Sequence, residues 1–276
     1  MCYISEYTQG AHLPDIETFQ NESWKVNNRK QNAEIRIRKR ENGMSCVAII
    51  TARGGSRRIP RKNIKEFCGK PIISYSIAAA LESGIFDEVV VSTDDEEIVR
   101  IARENGAEVP FLRSAGTSGD FATTADVIEE VITNLKKIGK EYDSFCCLYP
   151  TAPFVTAQKL NSALRLLEES GADSVLPVVR FSFPPQRGII IKDGKAAYAM
   201  PQYASARSQD LTPVYHDCGQ FYFCRTDAFL KYHSLVTENT VPLEVPDEEV
   251  QDIDNLSDWH LAELKYKAFI LDERRV

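Results

Sequence analysis

The stretch ARGGSRRIPRKN, residues 52–63, follows a short apolar run, residues 46–51, and precedes a helical apolar pattern that begins near Pro71. A short apolar run of this kind is typical of a buried strand, so the order is strand, glycine-rich basic loop, helix. Residues 53–65 contain six basic residues and no acidic one, although the whole chain has a net charge of -7. Paired glycines let backbone N–H groups approach a polyphosphate, and arginine and lysine neutralise its charge. The stretch therefore predicts a phosphate-binding loop.

The loop matches neither of two common nucleotide-binding fingerprints. It lacks the G-x-x-x-x-G-K-[ST] spacing of P-loops and the G-x-G-x-x-G spacing of dinucleotide-binding folds. A solvated basic loop, or a patch for RNA, is the alternative interpretation. The position of the loop after the first strand favours a nucleotide site, because α/β folds bind ligands at the carboxyl ends of their strands.

Composition and charge exclude several classes of protein. The chain has 276 residues, 43% apolar and 26% charged, as ordinary globular proteins do. No segment approaches the roughly 18 uninterrupted apolar residues of a membrane span. The acidic balance argues against a general nucleic-acid partner. Seven scattered cysteines without a C-x-x-C pair make zinc unexpected, and with no visible signal-peptide pattern they predict reduced thiols and a cytoplasmic location.

Two regions differ in pattern. Residues 1–43 contain few large apolar residues and show no clear period, which predicts a poorly ordered N-terminal extension. Residues 44–276 form the predicted folded domain. Met44 lies directly before the first predicted strand and is the expected natural start of the chain.

Strand and helix patterns alternate from residue 45 onward. The predicted strands are residues 46–51, 88–93, 108–112, 144–149 and 174–179, and the predicted helices between them are residues 70–83, 96–104, 123–137 and 156–169. A further helix runs from Leu256 through Lys265. This rhythm predicts an α/β fold with a doubly wound, mostly parallel sheet and helices on both faces.

The rhythm breaks between Arg180 and Arg225, where prolines, glycines and aromatic residues dominate. Residues 192–195, Lys-Asp-Gly-Lys, predict a hairpin turn, so we expect an inserted β-rich subdomain. Its aromatic residues are too many for a solvated loop and predict a homodimer interface, with packing inside the fold as the alternative. They include Phe181, Phe183, Tyr198, Tyr203 and Phe221.

Acidic residues near strand ends form a second candidate feature. Asp94 follows the second predicted strand, and Asp252 and Asp254 lie two residues apart. In an extended segment the latter two would point to the same side, about 6.5 to 7 Å apart. That spacing suits a divalent cation completed by phosphate oxygens. Alternatively, Asp254 caps the helix that starts near Leu256. The pattern alone leaves both possibilities open.

Residues 52–63, followed by Phe-Cys-Gly-Lys-Pro-Ile at 67–72, resemble the signature of the sugar-acid cytidylyltransferases, which include the CMP-sialic acid synthetases. The resemblance covers roughly residues 45–265. Residues 183–187, 207–211 and 215–222 are most similar to one branch, the pseudaminic acid cytidylyltransferases. The resemblance implies a nucleotide-diphospho-sugar transferase-like fold whose inserted arm dimerises and completes the partner's sugar site.

The resemblance also implies a nucleotide site and a metal site. The residues expected to bind CTP are Arg53, Gly54, Gly55, Ser56, Arg57, Lys62, Asn63, Asp94, Arg113 and Thr123. Of these, Arg53 and Lys62 are expected to be catalytic, together with Asp252 and Asp254 as ligands of Mg²⁺. The family places its magnesium carboxylates in this segment, which favours the metal over the helix cap.

A sugar site is implied by the same resemblance. The candidates are Tyr149, Gln186, Arg187, Arg207, Gln209 and His216. Arg207 is the first candidate for the sugar carboxylate, since arginine suits a bidentate grip. His216 is a base, a sugar contact or a structural residue bonded to Asp217. Tyr149 replaces the glutamine of sialic acid enzymes, which counts against sialic acid as substrate.

These observations predict an enzyme that activates pseudaminic acid with CTP, giving CMP-pseudaminic acid and pyrophosphate. Another acidic sugar, such as sialic, legionaminic or 3-deoxy-octulosonic acid, is the enzymatic alternative. A nucleotide- or RNA-binding module without catalysis is the alternative of a different class. The pair Asp252 and Asp254 argues against that module.

Overall fold

The first strand of the main sheet carries the glycine-rich loop at its carboxyl end, and in the computed structural model this strand lies beside two parallel neighbours. The structure describes residues 43–271. The strands of the main sheet are β1 (Cys46–Thr51), β4 (Glu88–Ser92), β5 (Ser144–Leu148), β6 (Ser174–Arg180), β9 (Tyr215–Asp217), β10 (Phe221–Arg225) and β11 (Thr240–Glu244). Two small hairpins are built from β2 (Glu66–Phe67) with β3 (Lys70–Pro71), and from β7 (Ile189–Lys192) with β8 (Lys195–Tyr198).

The order of strands across the main sheet is β11-β6-β10-β5-β1-β4, and β9 pairs with β6. β1 is parallel to β4 and β5, and β11 is parallel to β6. β10 lies between β5 and β6 and is antiparallel to both, as β9 is to β6. Five strands therefore share one direction, and two oppose it.

Helices cover both faces of this sheet. They are α1 (Ile73–Ser83), α2 (Glu96–Glu104), α3 (Ala115–Ser118), α4 (Thr124–Lys137), α5 (Ala157–Ser170), α6 (Thr226–Tyr232) and α7 (Leu256–Lys265), which continues as a π-helical segment, Tyr266–Leu271. None of the helices within residues 43–271 has the length and apolar character to cross a bilayer.

Alternate residues of each strand separate the core into two layers. Ala48 and Ile50 of β1 face a cluster that includes apolar residues of α1, α2 and α5. Val47 and Ile49 face a second cluster with residues of α4 and α6. This period of two places helices on both faces. The predicted α/β fold with a mostly parallel, doubly wound sheet is confirmed.

Capping residues determine where the helices next to the site begin. The Asp95 carboxylate accepts hydrogen bonds from the backbone N–H groups of Glu97 and Ile98 at the start of α2. Thr123 and Asp126 form a reciprocal capping box at the start of α4. Both satisfy donors that lack helical partners. These caps fix the two loops that approach the glycine-rich loop.

One predicted strand is absent from the described residues. Residues 108–112 were expected to form a strand, but only Glu108 forms a bridge, with Val90. The pairing stops there because Pro110 has no backbone N–H to continue a ladder.

The predicted insertion, residues 180–225, is longer than the one in the structure. β9 and β10 belong to the main sheet, so only residues 181–214 leave it. Phe221, expected at a dimer interface, is fully buried in the core because it lies on β10. The predicted hairpin is present as β7 and β8, with left-handed conformations at Asp193 and Gly194 in its turn.

The base of the insertion is closed. Arg180 at the end of β6 pairs with Tyr215 at the start of β9, and the Phe181 N–H donates to the Val214 oxygen over 3.0 Å. The predicted N-terminal extension, residues 1–43, lies outside the described residues except for Gly43.

Candidate active site

The glycine-rich loop is held against the carboxyl ends of β1 and β4. The Gly54 N–H donates to Asp94 Oδ1 over 2.9 Å, and Asn63 Nδ2 donates to the Arg53 carbonyl oxygen over 2.8 Å. A Cβ on Gly54 would lie 2.7 Å from Asp95 Oδ2, so only glycine fits there. Asp94 and the Gly54 N–H, both expected at the nucleotide, hold the loop in place.

A cavity lies beneath this loop, and we call it the loop cavity. It is lined by Thr51, Arg53, Ser56, Arg57, Arg58, Ile59, Lys62, Asn63, Thr124, Tyr149, Pro150 and Thr151. The structure therefore brings together five of the residues predicted to bind the nucleotide: Arg53, Ser56, Arg57, Lys62 and Asn63. The cationic side chains of Arg53, Arg57 and Lys62 give the cavity a positive wall suited to an anion.

Carboxylates partner the arginines of the loop. Arg53 and Arg57 both pair with Asp120, the former over 3.0 Å. Arg61 pairs with Asp95 over 2.5 Å and also with Glu97, at the start of α2. Arg61 is thus engaged with α2, whereas Arg53 and Arg57 line the loop cavity.

A second cavity adjoins the first, and we call it the carboxylate cavity. It has a volume of about 560 Å³ and is lined by Lys62, Tyr149, Thr151, Ala152, Phe154, residues 216–220 and residues 250–254. Lys62, Tyr149 and Thr151 line both cavities. Asp252 and Asp254 therefore lie beside Lys62 and the positive loop.

Lys62 joins the two cavities. Its Nζ donates to the Ile253 backbone oxygen over 2.8 Å, between the two aspartates. Burial lowers the pKa of Lys62, and the nearby charge of Asp254 opposes this effect. An ammonium with three N–H donors retains two for other acceptors in the cavities.

The helix-cap hypothesis for Asp254 is wrong. Asn255 caps α7: its side chain accepts from the N–H groups of Ser257 and Asp258, and Asp258 completes the capping box. The capping position lies one residue later than expected. Asp254 instead pairs with Arg58, 2.5 Å away, a residue of the glycine-rich loop that the sequence analysis did not single out.

Two carboxylates with access to phosphates are a donor set that Mg²⁺ accepts, since magnesium usually takes one or two protein carboxylates plus substrate oxygens. Asp252 and Asp254 line one cavity beside the positive loop, which fits this chemistry. Residues 43–271 contain no cluster of three or more His, Cys, Asp or Glu side chains arranged for a metal. Any magnesium held here would need substrate phosphates to complete its ligands.

Two of the residues expected to bind CTP, Arg113 and Thr123, line neither cavity. Arg113 is buried, and its guanidinium donates to Ser92 Oγ over 3.0 Å and to the Ser92 backbone oxygen over 2.6 Å. Burial lowers its pKa, opposed by the charge of Asp94. Thr123 is occupied in the cap of α4. The next residue, Thr124, lines the loop cavity, with its hydroxyl 3.4 Å from Tyr149 Oη.

The predicted sugar residues fall into two groups. Tyr149 and His216 line the carboxylate cavity. His216 Nδ1 lies 3.0 Å from the Asp217 backbone oxygen, and its ring lies 4.7 Å from that of Phe181. The predicted contact between His216 and Asp217 is thus with the backbone oxygen.

The remaining sugar candidates, Gln186, Arg187, Arg207 and Gln209, lie on the insertion and do not line the carboxylate cavity. Gln186 donates to the Thr212 oxygen over 2.8 Å, and Gln209 lines a separate cavity formed mostly by the insertion. Within one chain, these four residues therefore do not share the carboxylate cavity with Tyr149.

Comparison with known proteins agrees with this geometry. Residues 47–239 match the sequence profile of a family described as cytidylyltransferase. The chain belongs to the cytidylyltransferase family. It is 41% identical over 226 residues to the pseudaminic acid cytidylyltransferase of Campylobacter jejuni, covering 82% of this chain and 97% of that protein. Within the cytidylyltransferase family, the chain is thus strongly similar to a pseudaminic acid cytidylyltransferase.

One further relative and one solved structure are also similar to this chain. The CMP-N,N'-diacetyllegionaminic acid synthase of Legionella pneumophila is 35% identical, covering 80% of this chain and 95% of that protein. The solved structure of CMP:2-keto-3-deoxy-manno-octonic acid synthetase complexed with CTP superposes with a TM-score of 0.60 at 18% identity, covering 81% of this chain and 99% of that one. At 18% identity, this superposition shows that the two proteins share a fold.

Proposed function

We propose that this cytidylyltransferase transfers CMP from CTP to pseudaminic acid, releasing pyrophosphate. The observation that carries the proposal is the adjoining pair of cavities, which share Lys62 and place Asp252 and Asp254 beside the basic loop. A hydroxyl oxygen of the sugar acid attacks the α-phosphorus of CTP. The new oxygen–phosphorus bond forms, the bond from that phosphorus to pyrophosphate breaks, and the hydroxyl proton passes to solvent. Such transfers need positioning and charge neutralisation more than covalent help from the protein.

The basic residues of the loop cavity bind the triphosphate. Arg53 and Arg57 exchange the Asp120 carboxylate for phosphate oxygens, and Lys62 places a charge where the two cavities meet. These cations stabilise negative charge that builds up on the leaving pyrophosphate. Asp252 and Asp254 would hold Mg²⁺, which would supply further charge at the phosphates.

The sugar acid occupies the carboxylate cavity, where Tyr149 and His216 contact it. The choice of pseudaminic acid is supported by the 41% identity to the Campylobacter jejuni protein over nearly its full length. Legionaminic acid is the second candidate, supported by the lower 35% identity to the Legionella pneumophila enzyme.

The active form is proposed to be a homodimer built through residues 181–214. Three successive isoleucines of β7, Ile189, Ile190 and Ile191, are each more than half exposed. An apolar strand of this kind needs a covering surface, and a second copy supplies one. A second copy also offers a route for Arg187, Arg207 and Gln209 to reach a sugar site.

A cytoplasmic location is proposed because Cys146 and Cys147 are buried thiols within β5, as expected of a reducing compartment.

The test is pyrophosphate release with CTP, Mg²⁺ and a panel of sugar acids: pseudaminic, legionaminic, sialic and 3-deoxy-octulosonic acid. We expect the largest kcat/KM with pseudaminic acid. The matched control is Asp254→Asn, which keeps the size of the side chain and removes its charge. CTP binding by calorimetry without pyrophosphate release with any sugar acid would instead identify a binding module.

A further inference from the structure

A carboxylate at the end of β9 lines the carboxylate cavity and has no part in the mechanism above. Asp217 ends β9 and lines the cavity together with Lys62, Asp252 and Asp254. Among the ion pairs within residues 43–271, none includes Asp217. Its carboxylate therefore lines the cavity without a direct ion pair.

Two neutral donors fix the orientation of this carboxylate. The Gly219 N–H donates to Asp217 Oδ1 over 2.7 Å, and the φ of +60° at Gly219 lets the turn fold back on the carboxylate. The Tyr222 hydroxyl donates to Asp217 Oδ2. Burial raises the pKa of Tyr222, so the hydroxyl retains the proton that it donates.

The Tyr222 ring is itself held in place, since it packs edge-on against Tyr149 with ring centroids 5.7 Å apart. Tyr149 lines both cavities and its backbone N–H donates to the Gln220 oxygen over 2.9 Å. The Asp217 carboxylate is therefore preorganised by a rigid part of the sheet, on the side where the sugar acid is placed.

A carboxylate has about four acceptor positions, and the two donors within the chain use only part of this capacity. The remaining positions suit a hydroxyl or an amide N–H, whereas a second anion would be repelled. We propose that Asp217 is a specificity-determining residue that accepts a hydrogen bond from a hydroxyl or acylamino N–H of the sugar acid. This inference rests on the proposed function and adds a residue to it.

The test compares Asp217→Asn with wild type in steady-state kinetics with each substrate varied in turn. Asn retains an oxygen for the Gly219 N–H and removes the charge. Losing a hydrogen bond to a charged group should raise KM for the sugar acid about 10- to 100-fold, with KM for CTP unchanged. Tyr222→Phe keeps the ring and removes the donor, so it should raise the same KM by a smaller factor. Asp227→Asn, in the first turn of α6, is the matched control and should change neither KM.

The two donor types are separated by the substrate panel. A loss confined to pseudaminic, legionaminic and sialic acids, which carry acylamino groups, identifies an acylamino N–H. An equal loss with 3-deoxy-octulosonic acid, which has hydroxyls but no acylamino group, identifies a hydroxyl. An unchanged KM for the sugar acid in both folded variants overturns the inference while the proposed function stands. Equal increases of both KM values also overturn it, because they indicate a general disturbance of the site. Lack of turnover by wild type with every sugar acid overturns both.

Discussion

Lys62 Nζ lies 2.8 Å from the backbone oxygen of Ile253 and so ties the glycine-rich loop to the segment that carries Asp252 and Asp254. The two residues are 191 positions apart in the chain. Together with the Arg58–Asp254 ion pair, this side chain sets the spacing between the two halves of the proposed reaction centre, and a change in its charge affects both.

The lowered pKa of Lys62 predicts a pH dependence. Burial disfavours its charged form, so the ammonium loses its proton at a lower pH than an exposed lysine does. CTP affinity should therefore fall as pH rises through this lowered pKa, because the neutral amine no longer attracts phosphate. Titration calorimetry across alkaline pH checks this. Lys62→Met should bind CTP more weakly and show no such decline, and a decline of the same size in that variant would contradict the assignment.

The same shift affects stability with the opposite sign. A lysine whose pKa is lower in the folded state than in the unfolded state destabilises the fold at low pH. This penalty disappears as pH rises from the folded-state pKa towards that of the unfolded chain. Relative to Lys62→Met, the wild-type free energy of unfolding should therefore increase with pH within that window, as measured by urea denaturation.

Arg53→Ala should weaken binding of the triphosphate without unfolding the protein. A lost charge-assisted phosphate contact costs about 1.5 to 3 kcal/mol, which corresponds to a rise of roughly 10- to 150-fold in KM for CTP. The Arg53–Asp120 pair is partly exposed, so its loss should cost at most about 1 kcal/mol of stability. Arg100→Ala removes a comparable exposed pair on α2 and serves as the control. Equal kinetics in the two variants would place the triphosphate elsewhere.

Asp254→Asn and Asn255→Ala should have contrasting effects. Removing the Asp254 charge should lower kcat by roughly 100-fold or more, because charge at the reacting phosphate matters most in the transition state. It should leave α7 intact, since Asn255 provides the cap. Asn255→Ala should instead lower the free energy of unfolding by about 1 kcal/mol. Thermal denaturation and pyrophosphate release measure the two effects, and near-normal kcat in Asp254→Asn would remove it from the mechanism.

A charged residue on β7 should dissociate the proposed homodimer. Ile191 is 80% exposed, and Ile191→Lys would place an ammonium in the proposed apolar interface. Light scattering should then report a monomer at micromolar concentration, while wild type gives a dimer. Leu264→Lys, at an exposed position of α7, is the control. A monomeric wild type with full turnover would contradict the dimer.

Local patterns predicted most of the fold. The helix α2 was predicted at residues 96–104, as observed, because Asp95 before it and Asn105-Gly106 after it are signals that act within a few residues. β1, β4 and β5 were recognisable because strands buried on both faces are continuous apolar runs. β10 is also apolar, but its antiparallel insertion between β5 and β6 depends on partners distant in sequence. For that reason it was included in the insertion.

The site was predictable to a lesser degree. Arg53, Arg57 and Lys62 were identified because glycine and basic residues at one strand end imply phosphate chemistry. The pairing of Arg58 with Asp254 was not, since no local pattern encodes a contact between residues so far apart. Thr123 was expected to bind CTP, but it caps α4 and the next residue, Thr124, lines the loop cavity. Sequence patterns do not resolve a shift of one residue.

The closed base of residues 181–214 makes this segment an exchangeable module. Its ends are neighbours through the pairing of Arg180 with Tyr215, so the catalytic sheet has little dependence on how long the excursion between them is. Doubling the length of such a loop adds only about 0.6 kcal/mol of closure entropy. Chimaeras that receive this segment from relatives acting on other sugar acids should therefore retain the sheet and the nucleotide cavity, while assembly and sugar preference change together. In the proposed homodimer, substrate range can thus change through this segment while the transfer chemistry stays untouched.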